Sequence, residues 1–133
     1  MVVSFLPEPE THPLWPEILK LLKPAANFGE IPAWTGDECV WIAFEGPVLF
    51  AAATTILWDD GEAELLLAGG HRHKDWMGEL DATVTAWARD CGARKIAMRG
   101  RKGWGRYARP FGWGSQGEDH DGLTIYEKEL EDG

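Results

Sequence analysis

Residues 63–91 read AELLLAGGHRHKDWMGELDATVTAWARDC and combine an apolar run, a basic loop and an amphipathic segment. The apolar run predicts a strand over Ala63–Ala68. The second half carries apolar residues at the spacing of one helical face: Trp76, Leu80, Val84, Trp87 and Cys91. It predicts a helix over Asp75–Cys91, with Asp75 as its N-cap. Because the apolar segment Ala93–Met98 follows, the stretch predicts a strand–helix–strand unit.

The chain before this unit predicts an antiparallel meander. Cys39–Phe44 is apolar throughout, as in a strand covered on both faces. Val48–Trp58 is a second strand, and Asp59-Asp60-Gly61 is a strong hairpin signal that leads into the strand at Ala63. The other predicted elements are a strand Val2–Leu6, a helix between Thr11 and Pro24, a poor helix Lys102–Arg109, a loop Gly112–Gly117 and a strand Leu123–Leu130. This order predicts one α+β domain over residues 1–133, with a mixed, mostly antiparallel sheet and flanking helices.

Composition excludes several classes of protein. The net charge of −9 argues against general binding to double-stranded DNA. No stretch approaches the roughly 20 apolar residues of a membrane helix, and Met1–Leu6 is too short for a secretory signal. Cys39 and Cys91 lie far apart in apolar stretches, and they are predicted to be buried and reduced. We therefore expect a soluble cytoplasmic protein with no membrane partner.

The charge is unevenly distributed along the chain. Residues 92–117 contain no acid and seven bases: Arg94, Lys95, Arg99, Arg101, Lys102, Arg106 and Arg109. Trp, Tyr and Phe alternate with these bases, a pattern that suits single-stranded nucleic acid or a small phosphate-bearing ligand. The overall negative charge favours the small ligand. Arg99, Arg101, Lys102 and Arg106 are predicted to line its site.

The order of elements resembles the GNAT superfamily of acyl-CoA-dependent N-acetyltransferases over nearly the whole chain. The likeness rests on the strand ending at Ala68, the loop Gly69–Lys74, the helix after it, and Gly112-Trp113. Residues 100–113, GRKGWGRYARPFGW, followed by the ending YEKEL, look like small GNAT-like proteins of bacteriophages and prophages. The resemblance implies the α+β fold described above.

The resemblance also implies acetyl-CoA as cofactor. The family's pyrophosphate loop follows the pattern Q/R-x-x-G-x-G/A, and Arg72 matches its first position, whereas Asp75 and Met77 stand where glycines are usual. The implied cofactor-binding residues are Gly70, Arg72, His73, Lys74, Arg101 and Lys102. A carboxylate beside a pyrophosphate is repulsive, so Asp75 predicts weakened cofactor binding unless it turns towards its own helix.

Two residues are candidates for the chemistry. An amine acceptor must lose a proton before attack, and Glu64, with Glu62 as the alternative, is the candidate base. The family places a tyrosine where this chain has Ala108, and the adjacent Tyr107 is the implied acid for the leaving thiolate. As alternatives, the two glutamates form a solvent-facing pair beside the turn, and Tyr107 packs in the core with Trp104.

No metal site is expected. His71-Arg72-His73 places an arginine between two imidazoles, and residues 118–121 lack the spacing of a calcium loop. Two functions follow from the sequence. One is an acetyl-CoA-dependent N-acetyltransferase acting on a small-molecule or protein amine of unknown identity. The other is a catalytically inactive phage-type protein of the same fold that binds a partner or a polyanion.

Overall fold

The structure, a computed structural model, describes residues 1–26, 34–100, 104–119 and 122–130. The strands in this part of the chain are β1 Val2–Leu6, β2 Cys39–Glu45, β3 Val48–Leu57, β4 Ala63–Gly70, β5 Lys95–Gly100, β6 Gly114–Glu118 and β7 Thr124–Glu129. The helices are α1 Trp15–Ala26, α2 His73–Asp90 and the short α3 Gly105–Ala108, with 3-10 turns at Pro9–Thr11 and Arg109–Phe111. None of the helices so described combines the length and the hydropathy needed to cross a membrane.

The described strands form one seven-stranded sheet in the order β1-β2-β3-β4-β5-β7-β6. Strands β2, β3 and β4 form the predicted antiparallel meander. β4 and β5 pair in parallel, and α2 makes the crossover that parallel neighbours require. The other neighbouring pairs are antiparallel. The prediction of an α+β fold with a mixed, mostly antiparallel sheet is therefore confirmed.

β4 and β5 stay paired only at their beginnings. Their register runs from Ala63 opposite Ile96 to Leu65 opposite Met98, and β4 then continues to Gly70 beside β3 alone. Opposite β3, Thr55 pairs with Leu65 and Thr54 with Leu67, so that Leu66 is an extra residue in a β-bulge. A bulge bends and twists its strand. The two central strands consequently separate towards the carboxyl end of β4.

The two faces of the sheet bury separate clusters because alternate strand residues point to opposite faces. The cluster on the α2 face contains Trp41, Ala53, Trp76, Leu80, Val84 and Ile96. The cluster on the α1 face contains Ile18, Leu22, Val40, Ala52 and Leu67. The helical face predicted for α2 is buried at its first three positions, whereas Trp87 is half-buried and Cys91 is exposed. The prediction that both cysteines are buried is therefore wrong for Cys91, which lies just beyond the helix end.

Gly69 and Gly70 end β4 for reasons of packing. A Cβ atom on Gly69 would overlap the carbonyl oxygen of Leu21 in α1. A Cβ atom on Gly70 would overlap the carbonyl oxygen of Phe50 and lie 2.7 Å from the Cα atom of Ala51. These two glycines therefore let α1 and β3 approach the backbone of β4 closely.

Two local predictions are wrong. Gly114–Glu118, predicted as loop, is the edge strand β6, in which all five residues are exposed. Glycine and polar residues without an apolar alternation concealed the strand, and its pairing with β7 is irregular. Thr11 does not begin α1: its hydroxyl donates to the carbonyl oxygen of Glu8 inside a 3-10 turn, and α1 starts at Trp15.

A polar cluster joins α2 to β7 beneath the surface. Lys128 Nζ lies 2.7 Å from Asp81 Oδ2, and both side chains are about 85% buried. Trp113 Nε1 donates to the other oxygen of Asp81 at 2.7 Å. Lys128 Nζ also donates to Thr85 Oγ1 at 3.4 Å. The packing of α2 on the sheet largely buries the charges of Asp81 and Lys128, and these contacts compensate them.

Replacing Lys128 by methionine is expected to lower the free energy of unfolding by about 3 kcal/mol. The reason is that Asp81 would lose its counter-ion while remaining largely buried. Urea denaturation measures the loss. Lys95→Met is the matched control, because Lys95 binds Glu127 at 2.8 Å but is more exposed, and its loss should be much smaller. Equal losses in the two variants would contradict the role given to burial.

Candidate active site

An open cleft of about 810 Å³ lies where β4 and β5 separate. β4 lines it from Leu65 to Gly70, β5 contributes Met98 to Gly100, and α1 contributes Lys20, Leu21, Pro24 and Ala25. Trp104, Arg106 and Tyr107 close it from the α3 side. The volume falls within the roughly 300–1,000 Å³ of small-molecule sites in proteins. The cleft is therefore large enough for an organic ligand of substantial size.

One edge of β4 forms a polar wall of this cleft. From Leu66 onwards β4 pairs with β3 on one side, and its register with β5 has ended. Backbone N–H and C=O groups along a free strand edge need partners. An extended ligand that carries amides can supply them in the way that an added strand does.

The beginning of α2 differs from its prediction. The helix starts at His73, two residues earlier than expected, and its N-cap is Arg72 with φ 57° and ψ 50°. Asp75 is therefore not the N-cap, and the side chain of Arg72 makes no capping hydrogen bond within the described residues. Instead, Asp75 Oδ2 lies 2.7 Å from Arg72 Nε. The side chain of Asp75 thus turns to Arg72, and part of the positive charge at the helix mouth is already compensated.

Arg72 is also held from a second side. Its guanidinium carbon lies 5.3 Å from the centroid of the Phe50 ring, a cation–π geometry. Its side chain is nevertheless 66% exposed. The one residue that matches the pyrophosphate-loop pattern therefore lies at the surface, outside the cleft lining, between an aromatic ring and a carboxylate.

His73 and Tyr107 meet across the cleft. Their ring centroids are 4.5 Å apart in an edge-to-face arrangement, and Trp104 packs 6.3 Å from Tyr107. His73 Nε2 is buried and has no hydrogen-bond partner among the residues that the structure describes. A buried nitrogen of this kind needs a partner. Two residues predicted separately, one for cofactor binding and one for catalysis, are thus brought together in the cleft.

Glu64 lies beside the cleft on the α1 face of the sheet, since Ala63 and Leu65 pack on the α2 face. Trp58 Nε1 donates to Glu64 Oε1 at 3.2 Å, and Arg99 Nη2 lies 3.7 Å from Glu64 Oε2. Burial raises the pKa of Glu64 above its ordinary value, while the Trp58 hydrogen bond and the charge of Arg99 oppose this rise. A carboxylate of raised pKa is a stronger proton acceptor than an exposed one.

The predicted site residues fall into three groups. Gly70, His73 and Tyr107 line the cleft, and Glu64 contacts it through Arg99, which is itself a lining residue. Arg72 and Lys74 lie beside the cleft and not in its lining. Arg101 and Lys102 lie outside the described residues. The wall that α1 contributes, from Lys20 to Ala25, was missed, because nothing in the sequence pairs this helix with the end of β4.

Some bases among residues 92–117 already form ion pairs with acids elsewhere in the fold, which the sequence does not indicate. Lys95 binds Glu127 at 2.8 Å and lies 3.7 Å from Glu62. Arg99 lies 3.5 Å from Asp119 in addition to its contact with Glu64. Of the predicted phosphate-site residues in the described part of this stretch, Arg99 and Arg106 do line the cleft. Across all the residues that the structure describes, there is no cluster of three or more potential metal ligands.

Comparison with known proteins concerns the fold. No family model and no curated protein sequence matches the chain. Among matching solved structures, an acetyltransferase of Bacillus subtilis in complex with CoA is 15% identical, has a TM-score of 0.79 and aligns over 97% of this chain and 98% of its own. A GNAT family acetyltransferase of Elizabethkingia anophelis with acetyl-CoA bound is 12% identical, with a TM-score of 0.74 over 96% and 98%. An aminoglycoside 6'-acetyltransferase type Ii is 15% identical, with a TM-score of 0.76 over 98% of both chains. The chain therefore has the GNAT fold.

Proposed function

We propose that this protein is an acyl-CoA-dependent N-acyltransferase, with acetyl-CoA as the acyl donor and an amine as the acceptor. The observation that carries the proposal is the cleft between β4 and β5, which contains Tyr107 and His73 and lies beside Glu64. The sharing of this fold with acetyltransferases crystallised with CoA or acetyl-CoA supports it.

The lining of the cleft fits part of the acyl donor well. The edge of β4 that no described strand covers offers backbone groups to the amide-containing arm of CoA. His73 Nε2, which has no partner among the described residues, offers one more hydrogen bond. The phosphate end fits less well, because Asp75 and Met77 replace the loop glycines and Asp75 holds Arg72. We therefore expect binding through the arm, with weak affinity at the pyrophosphate.

The proposed chemistry uses two side chains of this chain. Acyl-CoA supplies the acyl group as a thioester, and the nitrogen of a neutral amine attacks its carbonyl carbon. Glu64 accepts the proton that the ammonium form of the acceptor must lose. Tyr107 donates its phenolic proton to the sulfur that leaves when the carbon–sulfur bond breaks. The proton that the attacking nitrogen loses as the amide forms returns to the Tyr107 phenolate.

A thiol-release assay tests the proposal. The protein is incubated with acetyl-CoA and a panel of primary amines, which includes polyamines, aminoglycosides and lysine peptides, and free CoA is measured with a thiol reagent. Amine-dependent release, together with acetylated acceptor in the mass spectrum, is expected for at least one class. Release that is the same without acceptor would argue against transfer. The alternative, an inactive phage-type protein that binds a partner or polyanion, requires no acetyl-CoA binding.

Asp75→Asn is expected to tighten acetyl-CoA binding about five-fold, because it removes a negative charge from the helix mouth and releases Arg72. Calorimetry at low salt measures the dissociation constant. Asp90→Asn is the matched control, since it removes the same charge from the other end of α2 at an exposed position. Unchanged affinity in Asp75→Asn, or equal tightening in both variants, would show that Asp75 does not oppose the pyrophosphate.

A further inference from the structure

Cys39 and Cys91 lie on elements that pack against each other. Cys39 is the first residue of β2, half-buried against the cluster on the α2 face of the sheet. Cys91 follows the last residue of α2 and is exposed. Nothing in the proposed acyl transfer uses either thiol.

The topology places the two cysteines towards the same end of the fold. β2 runs parallel to β4, because each is antiparallel to β3. α2 returns from the end of β4 to the start of β5, so that it runs antiparallel to both β4 and β2. A step towards the carboxyl end of α2 therefore corresponds to a step towards the amino end of β2.

A ring contact fixes the register between the two elements. The rings of Trp41 in β2 and Trp87 in α2 have centroids 6.1 Å apart. Cys39 lies two residues before Trp41 on the same strand face, a displacement of about 6.6 Å. Cys91 lies four residues after Trp87 on the same helix face, a displacement of about 6 Å in the same direction. Both thiols therefore lie beyond the tryptophan pair, displaced from it in the same direction.

The electrostatics of Cys39 agrees with this placement. Burial raises the pKa of Cys39, and the charge of Cys91 raises it further, while a hydrogen bond with Thr55 lowers it. Cys91 is exposed at the helix end, so it is the thiol that an oxidant reaches first. Cys39 is less exposed and is the thiol that reacts in the second step.

We propose that Cys39 and Cys91 form a reversible intramolecular disulfide with a small disulfide oxidant such as glutathione disulfide. The thiolate of Cys91 attacks one sulfur of the oxidant and expels one glutathione thiolate, which leaves a mixed disulfide. The thiolate of Cys39 then attacks the sulfur of Cys91 and expels the second glutathione. Two protein S–H bonds are lost, one S–S bond forms, and the oxidant is reduced to two glutathione molecules.

The bond lies at the end of the fold remote from the cleft. Cys39 begins β2, whereas the cleft opens at the carboxyl end of β4, which runs in the same direction. The disulfide joins β2 to α2 without using a group of the proposed active site. The proposal therefore stands or falls independently of the proposed acyl transfer.

Native protein incubated with glutathione disulfide tests the proposal. The wild-type chain should lose the mass of two hydrogens and both reactive thiols, and a peptide that joins Cys39 to Cys91 should appear in the digest. Dithiothreitol should restore both thiols. In Cys39→Ser the reaction should stop at a stable glutathione adduct on Cys91. The internal bond should also form faster in native than in urea-unfolded chain, because folding brings the two thiols together.

The opposite outcomes are equally clear. Wild-type protein that accumulates a glutathione adduct on Cys91, or disulfide-linked dimers, without the internal bond would overturn the proposal. An internal bond that forms only in urea would overturn it as well, since the native packing would then hold the sulfurs apart. The wild-type digest decides the question even where a serine variant folds poorly.

Discussion

Glu64→Gln is expected to lower kcat by about 10²–10⁴-fold, the contribution of a positioned general base. Glutamine keeps the size of the side chain and an oxygen that accepts the Trp58 Nε1 hydrogen bond, but it cannot take up a proton from the acceptor. The measurement is the rate of amine-dependent CoA release with saturating acetyl-CoA. Glu62→Gln is the matched control, because Glu62 lies two residues away at an exposed position before β4. Its rate should stay close to that of the wild type.

The pH dependence gives a second test of the same residue. Glu64 acts as a base only when ionised, so kcat/KM should rise with pH, and burial shifts this rise above the range of an ordinary glutamate. The raised pKa also means that the native state binds the proton more tightly than the unfolded state. The stability present below the ordinary pKa is therefore lost as pH rises through the raised pKa, and Glu64→Gln should abolish this loss. An unaltered rate and pH profile in the variant would remove Glu64 from the mechanism.

Gly69→Ala is expected to lower the free energy of unfolding by about 3 kcal/mol or more. The added methyl group would overlap the backbone carbonyl oxygen of Leu21. Because a Cβ atom is fixed by its own backbone and the carbonyl belongs to a helix, no side-chain rotation relieves the overlap. α1 would have to move away from β4, and this would open the buried cluster that contains Ile18 and Leu22. Thermal and urea denaturation measure the loss.

Gly78→Ala is the control for this variant, with an expected effect of opposite sign. Gly78 lies inside α2, where a Cβ atom would meet Phe111 at 3.5 Å, an ordinary van der Waals distance. Alanine in a helix interior is favoured over glycine by about 0.5–1 kcal/mol. The variant should therefore be slightly more stable than the wild type. Destabilisation of both variants to the same extent would contradict the close approach of α1 to Gly69.

The fold was predictable because its central elements carry strong local signals. The hairpin residues 59–61 and the apolar face of α2 defined the meander and the crossover. β6 was not predictable, because its glycine and polar residues form a strand through pairing with β7 and through no apolar pattern of their own. The start of α2 was missed for a related reason: Asp75 is a good N-cap in isolation, but Arg72 ends the loop in a left-handed conformation and the helix begins beside it.

The candidate site was predictable only in part. Residues close in sequence to a recognised element, such as His73 and Tyr107, were predicted from the sequence, and the structure brings these two into contact. The wall of α1 and the ion pairs of Arg99 and Lys95 depend on contacts between distant segments, which no spacing in the sequence encodes. Gly69 and Gly70 begin the loop Gly69–Lys74, which carries part of the family likeness in the sequence. In the structure each has a packing partner.

Calorimetric titration with acetyl-CoA, over a range reaching several millimolar, tests most directly whether the β4–β5 cleft binds an acyl donor. We expect one site with a dissociation constant of roughly 0.1–1 mM, weak because Asp75 opposes the pyrophosphate. Ala25→Trp fills the cleft from α1 and should abolish the binding heat, whereas Ala82→Trp, exposed on α2, should leave it unchanged. Absence of binding at millimolar acetyl-CoA, or equal binding by both variants, would contradict the proposed site and favour an inactive protein of the same fold.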